Sequence, residues 1–203
     1  YIASFLKLLL LYLTFIHTLS ARPVSYVGGW TFMTYNNYDS NSTLLHYSPT
    51  SKYSIGYKSE YWQKKEYFLN SINLNYLIKR INKKRSQANV YVKSGLGIIS
   101  SDYANYENKN EMAGHLEIST DWETRRYFIS YISKAIKSES IDNTYIQGAR
   151  FGIAPYIADY GKLHTWIMYA FKHMPEMEDT ITPEVILRLF KSTNLMEIGI
   201  DKK

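Results

Sequence analysis

His46 and Ser48 are the one pair of side chains in this sequence whose types and spacing suit nucleophilic chemistry. Two positions apart on an extended strand they share a face, where an imidazole could take a serine's proton and free the oxygen to attack an ester. Their neighbours argue against it. Leu45 and Tyr47 make the opposite face the apolar one, and Pro49 and Thr50 follow at once, so Ser48 falls at a tight turn. A structural histidine and a turn-forming serine are expected instead. Glu111, His115, Glu117 and Asp121 share the polar face of one strand. A metal site needs three or four ligands converging from several strands, so a hydrogen-bonded network is the expectation there. His164 and His173 lie at opposite ends and on opposite faces of one strand and cannot share an ion. No phosphate-cradling loop, dinucleotide fingerprint or catalytic carboxylate pair can be placed, and a turn accounts for Gly28 and Gly29. Neither a cofactor nor a metal is expected. The absence of cysteine excludes disulfides, thiolate metal sites and a cysteine nucleophile.

The elements that must position these residues are strands. After Arg22 the chain alternates with a period of two, broken by short polar turns. Tyr53, Ile55, Tyr57 and Tyr61 oppose Ser54, Gly56, Lys58 and Glu60. Met112, Leu116, Ile118 and Trp122 oppose Glu111, His115, Glu117 and Asp121. Ala88, Val90, Val92, Leu96 and Ile98 oppose Asn89, Lys93, Gly95 and Gly97, and Phe68, Ile72, Leu74, Tyr76 and Ile78 share a face. About eleven strands are predicted, near 29–37, 42–48, 53–62, 66–81, 87–100, 111–122, 125–137, 144–156, 163–173, 182–190 and 193–201. Many reach the roughly 9 to 11 residues of a tilted membrane-spanning strand, against about 5 or 6 in ordinary sheets. Tight connections near 48–52, 122–125 and 191–194 alternate with longer ones near 100–109, 137–143 and 174–180, as in barrels with short periplasmic turns and long outer loops.

Alternation alone does not say which face points inward; the polar face decides. It mixes glycines with Lys58, Glu60, Lys93, His115, Glu117, Asp121, Arg150, Arg188 and Glu197, which are expected to line a lumen. Lys79, Arg126 and Glu184 are read on the same polar faces. Exposed glycine in a strand weakens it without packing anything, whereas in a crowded lumen it makes room for paired charges. Tyr57, Val90, Leu116, Ile118, Tyr169 and Phe171 are then expected outward. Aromatics form 16% of the chain, with 20 tyrosines, an excess that suits strands and interfacial girdles at Tyr53, Tyr61 and Trp122. The formal charge of +6 is scattered among the strands with no basic tract, so a nucleic-acid partner is not expected.

The first 21 residues read differently. FLKLLLLYLTFIHTL, Phe5 to Leu19, followed by Ser20 and Ala21, has the apolar core and small-residue site of a helical signal peptide cleaved after Ala21. The fold expected behind it, over 22–203, is an all-β, antiparallel up-and-down transmembrane barrel of about twelve strands, about eleven of them present. The chain ends on the polar Asp201, Lys202 and Lys203. The last strand is therefore expected to be missing, with a gap between the strands near Trp30 and Ile198.

RPVSYVGGW (Arg22 to Trp30), HYSPTSKYSIGY (His46 to Tyr57), LNYLIK (Leu74 to Lys79) and ANVYVKSGLG (Ala88 to Gly97) resemble an uncharacterised family of exported proteobacterial proteins predicted to be outer-membrane barrels. The resemblance runs over most of the chain after residue 21. It implies an outer-membrane location and this fold, with one more strand ending in an aromatic beyond the match at Leu195 to Gly199, and it implies no activity. The expected function is non-enzymatic: a channel or binding protein for a small solute, or a structural part of the envelope, with outer-membrane lipid as partner and no preference for an oligomeric state. The alternative is a lipid hydrolase that resembles outer-membrane phospholipases and lipid A deacylases, using His46 and Ser48.

Overall fold

Eleven antiparallel strands follow one another in the computed structural model, which describes residues 22–101, 106, 108–159 and 161–201. They are β1 (Gly29–Asn36), β2 (Ser40–Ser48), β3 (Tyr53–Trp62), β4 (Tyr67–Lys83), β5 (Ser86–Ser101), β6 (Lys109–Thr124), β7 (Tyr127–Ser138), β8 (Asn143–Ile153), β9 (His164–Met174), β10 (Glu178–Lys191) and β11 (Asn194–Asp201). Each pairs with its neighbours in chain order, and the single sheet curls into a half-barrel. No helix among the described residues is long and apolar enough to cross a membrane. The expected signal peptide lies outside the described residues.

Alternation places the strands as expected. Tyr57, Leu116, Ile118, Tyr169 and Phe171 are exposed on the convex face, and Val90, paired with Thr120, lies with them. The concave face takes the complementary residues, because a register set by a period of two sends every second side chain inward. Three apolar clusters fill parts of it. At the end of the β3–β4 and β7–β8 turns, Trp62, Tyr67, Leu69, Ile99, Ile136 and Met174 pack together. At the other end Phe128, Trp166, Met168 and Ile186 form a second cluster, and Val24, Leu77 and Tyr91 a third.

The third cluster shows that the stretch around Val24 and Ser25 belongs to the interior. Pro23 carbonyl accepts from Ser54 Oγ at 2.7 Å and from Asn75 Nδ2 at 3.4 Å, and Ser25 N–H donates to Ser48 Oγ at 3.0 Å. These bonds bring the segment across β2, β3 and β4 on their concave side.

Two details of the sequence reading change. Lys79 faces outward: the register of β4 against β5 shifts between Leu77 and Lys79, so Lys79 pairs with Val90 and Arg80 turns inward to bond Asn89. The bulge arises because an extra residue must be absorbed for both flanking stretches to keep their apolar faces out. The loop pattern also differs. β10 starts at Glu178, so its connection to β9 is short, and the longest connection, 154–163, sits at the end that otherwise carries tight turns. Pro155 stops β8 there because it has no N–H to give the ladder, and Ala154 N–H donates to Arg126 carbonyl instead.

β1 pairs only with β2 and β11 only with β10 among the described residues. About 690 Å³ of open space lies between these edges, with Phe32 and Tyr35 on one side and Leu195 and Glu197 on the other.

Candidate functional site

The concave face is organised in three levels along the strands. The first is the apolar cluster around Tyr67, tied across the lumen by charge. Tyr67 OH donates to Asp142 Oδ2 at 2.6 Å, Thr144 Oγ1 donates to the other oxygen at 2.6 Å, and Lys65 pairs with the same carboxylate. Asp142 stands in the β7–β8 connection and Tyr67 at the start of β4, so this knot joins opposite walls. Lys172 of β9 makes a second tie, to Asp39 of the β1–β2 turn.

The second level is ionic. Glu60 Oε2 accepts from Lys58 Nζ at 2.9 Å and from Lys134 Nζ at 3.5 Å, the latter reaching over from β7. Lys93 and Glu117, paired across β5 and β6, are 2.6 Å apart. Glu197 accepts from Arg188 at 2.6 Å and from Arg150 at 3.2 Å. Burying such groups is tolerable only because each carboxylate has cations on it. Two glycines make room for the histidines of this face. A Cβ on Gly95 would strike the His115 ring, and one on Gly56 would strike Leu45 carbonyl and His46.

The third level is a cavity of about 1300 Å³ that opens at the end of the β4–β5, β6–β7 and β10–β11 turns. β5 and β6 give it a polar wall, with Asn89 Nδ2 donating to Asp121 Oδ1 at 2.7 Å. β7, β9 and β10 give it an apolar wall of Phe128, Trp166 and Phe190. Phe128 and Trp166 meet edge to face at 6.3 Å, and the Arg188 guanidinium lies over the Phe128 ring at 4.6 Å. Arg22 closes part of the rim through Glu123 at 2.7 Å and through Gln87.

All nine residues expected in the lumen stand on the concave face. Lys58, Glu60, His115, Glu117 and Lys93 gather in the ionic level, Arg150, Arg188 and Glu197 form a separate group near the β11 edge, and Asp121 belongs to the cavity wall. Lys134, Lys65, Asp142, Lys172, Asp39 and Arg22 complete the pairs, and the sequence reading missed them because their partners lie several strands away. Only Lys134 left a trace, as the one charged residue on the face of β7 that also carries Phe128, Ile132 and Ile136.

His46 and Ser48 are both 0% exposed, on the concave side, where Ser25 lies against Ser48. Their place leaves Ser48 Oγ accepting the Ser25 N–H. No three potential metal ligands converge among the described residues. The chain matches no family model, no curated protein and no solved structure.

Proposed function

We propose that the chain forms the wall of an outer-membrane β-barrel that holds a small solute in its lumen without transforming it. The observation that supports this reading best is the polarity of the two faces. Forty large apolar side chains are exposed among the described residues, most of them on the convex face, while the ion pairs are gathered on the concave one. A contiguous apolar surface of that extent calls for a lipid or protein neighbour. Tyrosines satisfy polar groups on the convex face, as hydrocarbon would require: Tyr57 OH donates to Asn70 at 2.8 Å, and Tyr145 OH bonds both Ser133 and Gln147 at 2.9 Å. Unpaired polar groups there would cost several kcal/mol each, on the order of a lost hydrogen bond or more.

Hydrocarbon would also require partners for the edges of β1 and β11, which pair with no further strand among the described residues. Both strands run in the same direction, since each is odd in an alternating series.

Binding is favoured over conduction because the cluster around Tyr67 and the knot at Asp142 obstruct one end, while the cavity opens at the other. Hydrolysis of lipid is disfavoured by the burial of Ser48, which no acyl chain outside the barrel can approach. The test is insertion of the refolded protein into planar phosphatidylcholine bilayers. The expected result is stable insertion with no unitary current; resolved current steps would make it a pore, and failure to insert would overturn the membrane assignment.

A further inference from the structure

We infer that the solute held in the open cavity is a small amphipathic anion, with a carboxylate or similar head and an aromatic or short aliphatic body. The inference rests on the solute-binding reading above and names the chemistry of that site.

Charge is the first argument. Eight Lys and Arg side chains line the cavity against two carboxylates, Asp121 and Glu123. Both carboxylates are already engaged, by Asn89 and by Arg22. Lys83, Lys84, Arg85, Arg125 and Arg126, in and beside the two-residue turns at the mouth, have no carboxylate within ion-pair distance among the described residues. Five uncompensated cations around one opening attract and retain an anion, because low-dielectric walls focus their field into the cleft.

The second argument is the wall those cations surround. Phe128, Trp166 and Phe190 face the polar wall of β5 and β6 across the cavity, so a guest that enters must be apolar on one side. Arg188 is held over Phe128 by its bond to Glu197, which fixes an edge-to-face aromatic corner beside a guanidinium. A cavity of about 1300 Å³ exceeds the usual range for a drug-sized ligand, so a small guest would share it with water. A purely polar anion would leave the apolar wall wet, and a cation would meet the charged mouth unfavourably. An anion with an apolar body satisfies both surfaces.

The experiment compares three probes of one shape in calorimetric titrations of the protein in phosphatidylcholine nanodiscs, with empty nanodiscs subtracted. The probes are 4-phenylbutyrate, 4-phenylbutanol and 4-phenylbutylamine. The expected result is that the butyrate binds at least tenfold more tightly than the alcohol, and the amine more weakly still. Lys84→Gln, Arg85→Gln and Arg126→Gln together should weaken the butyrate about tenfold and leave the alcohol unchanged, since these turn residues are exposed. Trp166→Phe should weaken butyrate and alcohol alike. If alcohol or amine bind as tightly as the butyrate, the anionic class is wrong while solute binding stands. If no probe binds above the empty discs, solute binding in this cavity falls as well.

Discussion

Replacing Glu60 with glutamine removes one charge from the best-defined buried ionic group of the lumen. The Glu60 carboxylate accepts from two ammonium groups on the same oxygen, Lys58 at 2.9 Å and Lys134 at 3.5 Å. The side chains of Lys58, Glu60 and Lys134 are 17%, 6% and 9% exposed, so water screens them poorly. Glutamine keeps the size and one acceptor but leaves two like charges facing each other. At a separation of ~6 Å and an effective dielectric constant of about 20, their repulsion is about 3 kcal/mol. Breaking a buried pair by removing one partner costs about 3 to 5 kcal/mol, and that is the expected loss for Glu60→Gln. The control replaces all three groups at once, Lys58→Met, Glu60→Leu and Lys134→Met, and should match or exceed the wild type by up to about 4 kcal/mol. Urea unfolding in phosphatidylcholine vesicles, followed by tryptophan fluorescence, measures both. The reasoning is refuted if Glu60→Gln stays within about 0.5 kcal/mol of the wild type, the usual range of an inconsequential surface change. It is refuted equally if the triple variant is as damaged as the single one.

Ile118, 48% exposed on the convex face of β6, tests the environment of that face. Ile118→Arg should cost roughly 2 to 4 kcal/mol in vesicle unfolding if the residue lies near the midplane, whereas an aqueous face would tolerate the change. His46→Ala and Ser48→Ala should leave phospholipid hydrolysis by the host envelope unchanged. Ser48→Ala should also speed amide exchange at Ser25, through loss of a bond worth about 1 kcal/mol, and a drop in measured lipase or deacylase activity with the barrel still assembled would revive the hydrolase.

The strands were legible because each carries one apolar and one polar face over many residues, a signal that shifts wholly if the register slips by one. Where both faces are apolar the signal fails. Tyr67, Phe68 and Leu69 follow one another in β4; Phe68 could be placed by the face it shares with Ile72, Leu74 and Tyr76, but nothing in the run tells that Tyr67 and Leu69 fill the concave side with apolar bulk. Lys79 was misplaced because strict alternation cannot anticipate a bulge at Ile78. The concave face could be read for Glu60 as for Lys93 and Glu117, but the pairing of Glu60 with Lys134 could not, because the two meet across the interior and not on adjacent strands. Val24 was not legible as interior at all, since residues 22–28 show no strand period and are held by bonds to Ser54, Asn75 and Ser48.

The order of the sheet has a consequence for how the chain reaches this shape. Every ladder joins strands consecutive in sequence, so each hairpin can zip as soon as its two halves exist, at the small loop-closure entropy of a short turn. Contact order within the ladders is correspondingly low for a β protein, which removes the usual kinetic penalty of distant strand pairing. The slow events are left to the contacts that cross the interior: Lys134 with Glu60, 74 residues apart, and Lys172 with Asp39, 133 apart. Hairpins would therefore assemble first as a pliant ribbon, and curvature would be locked last, when charges from its two halves find each other.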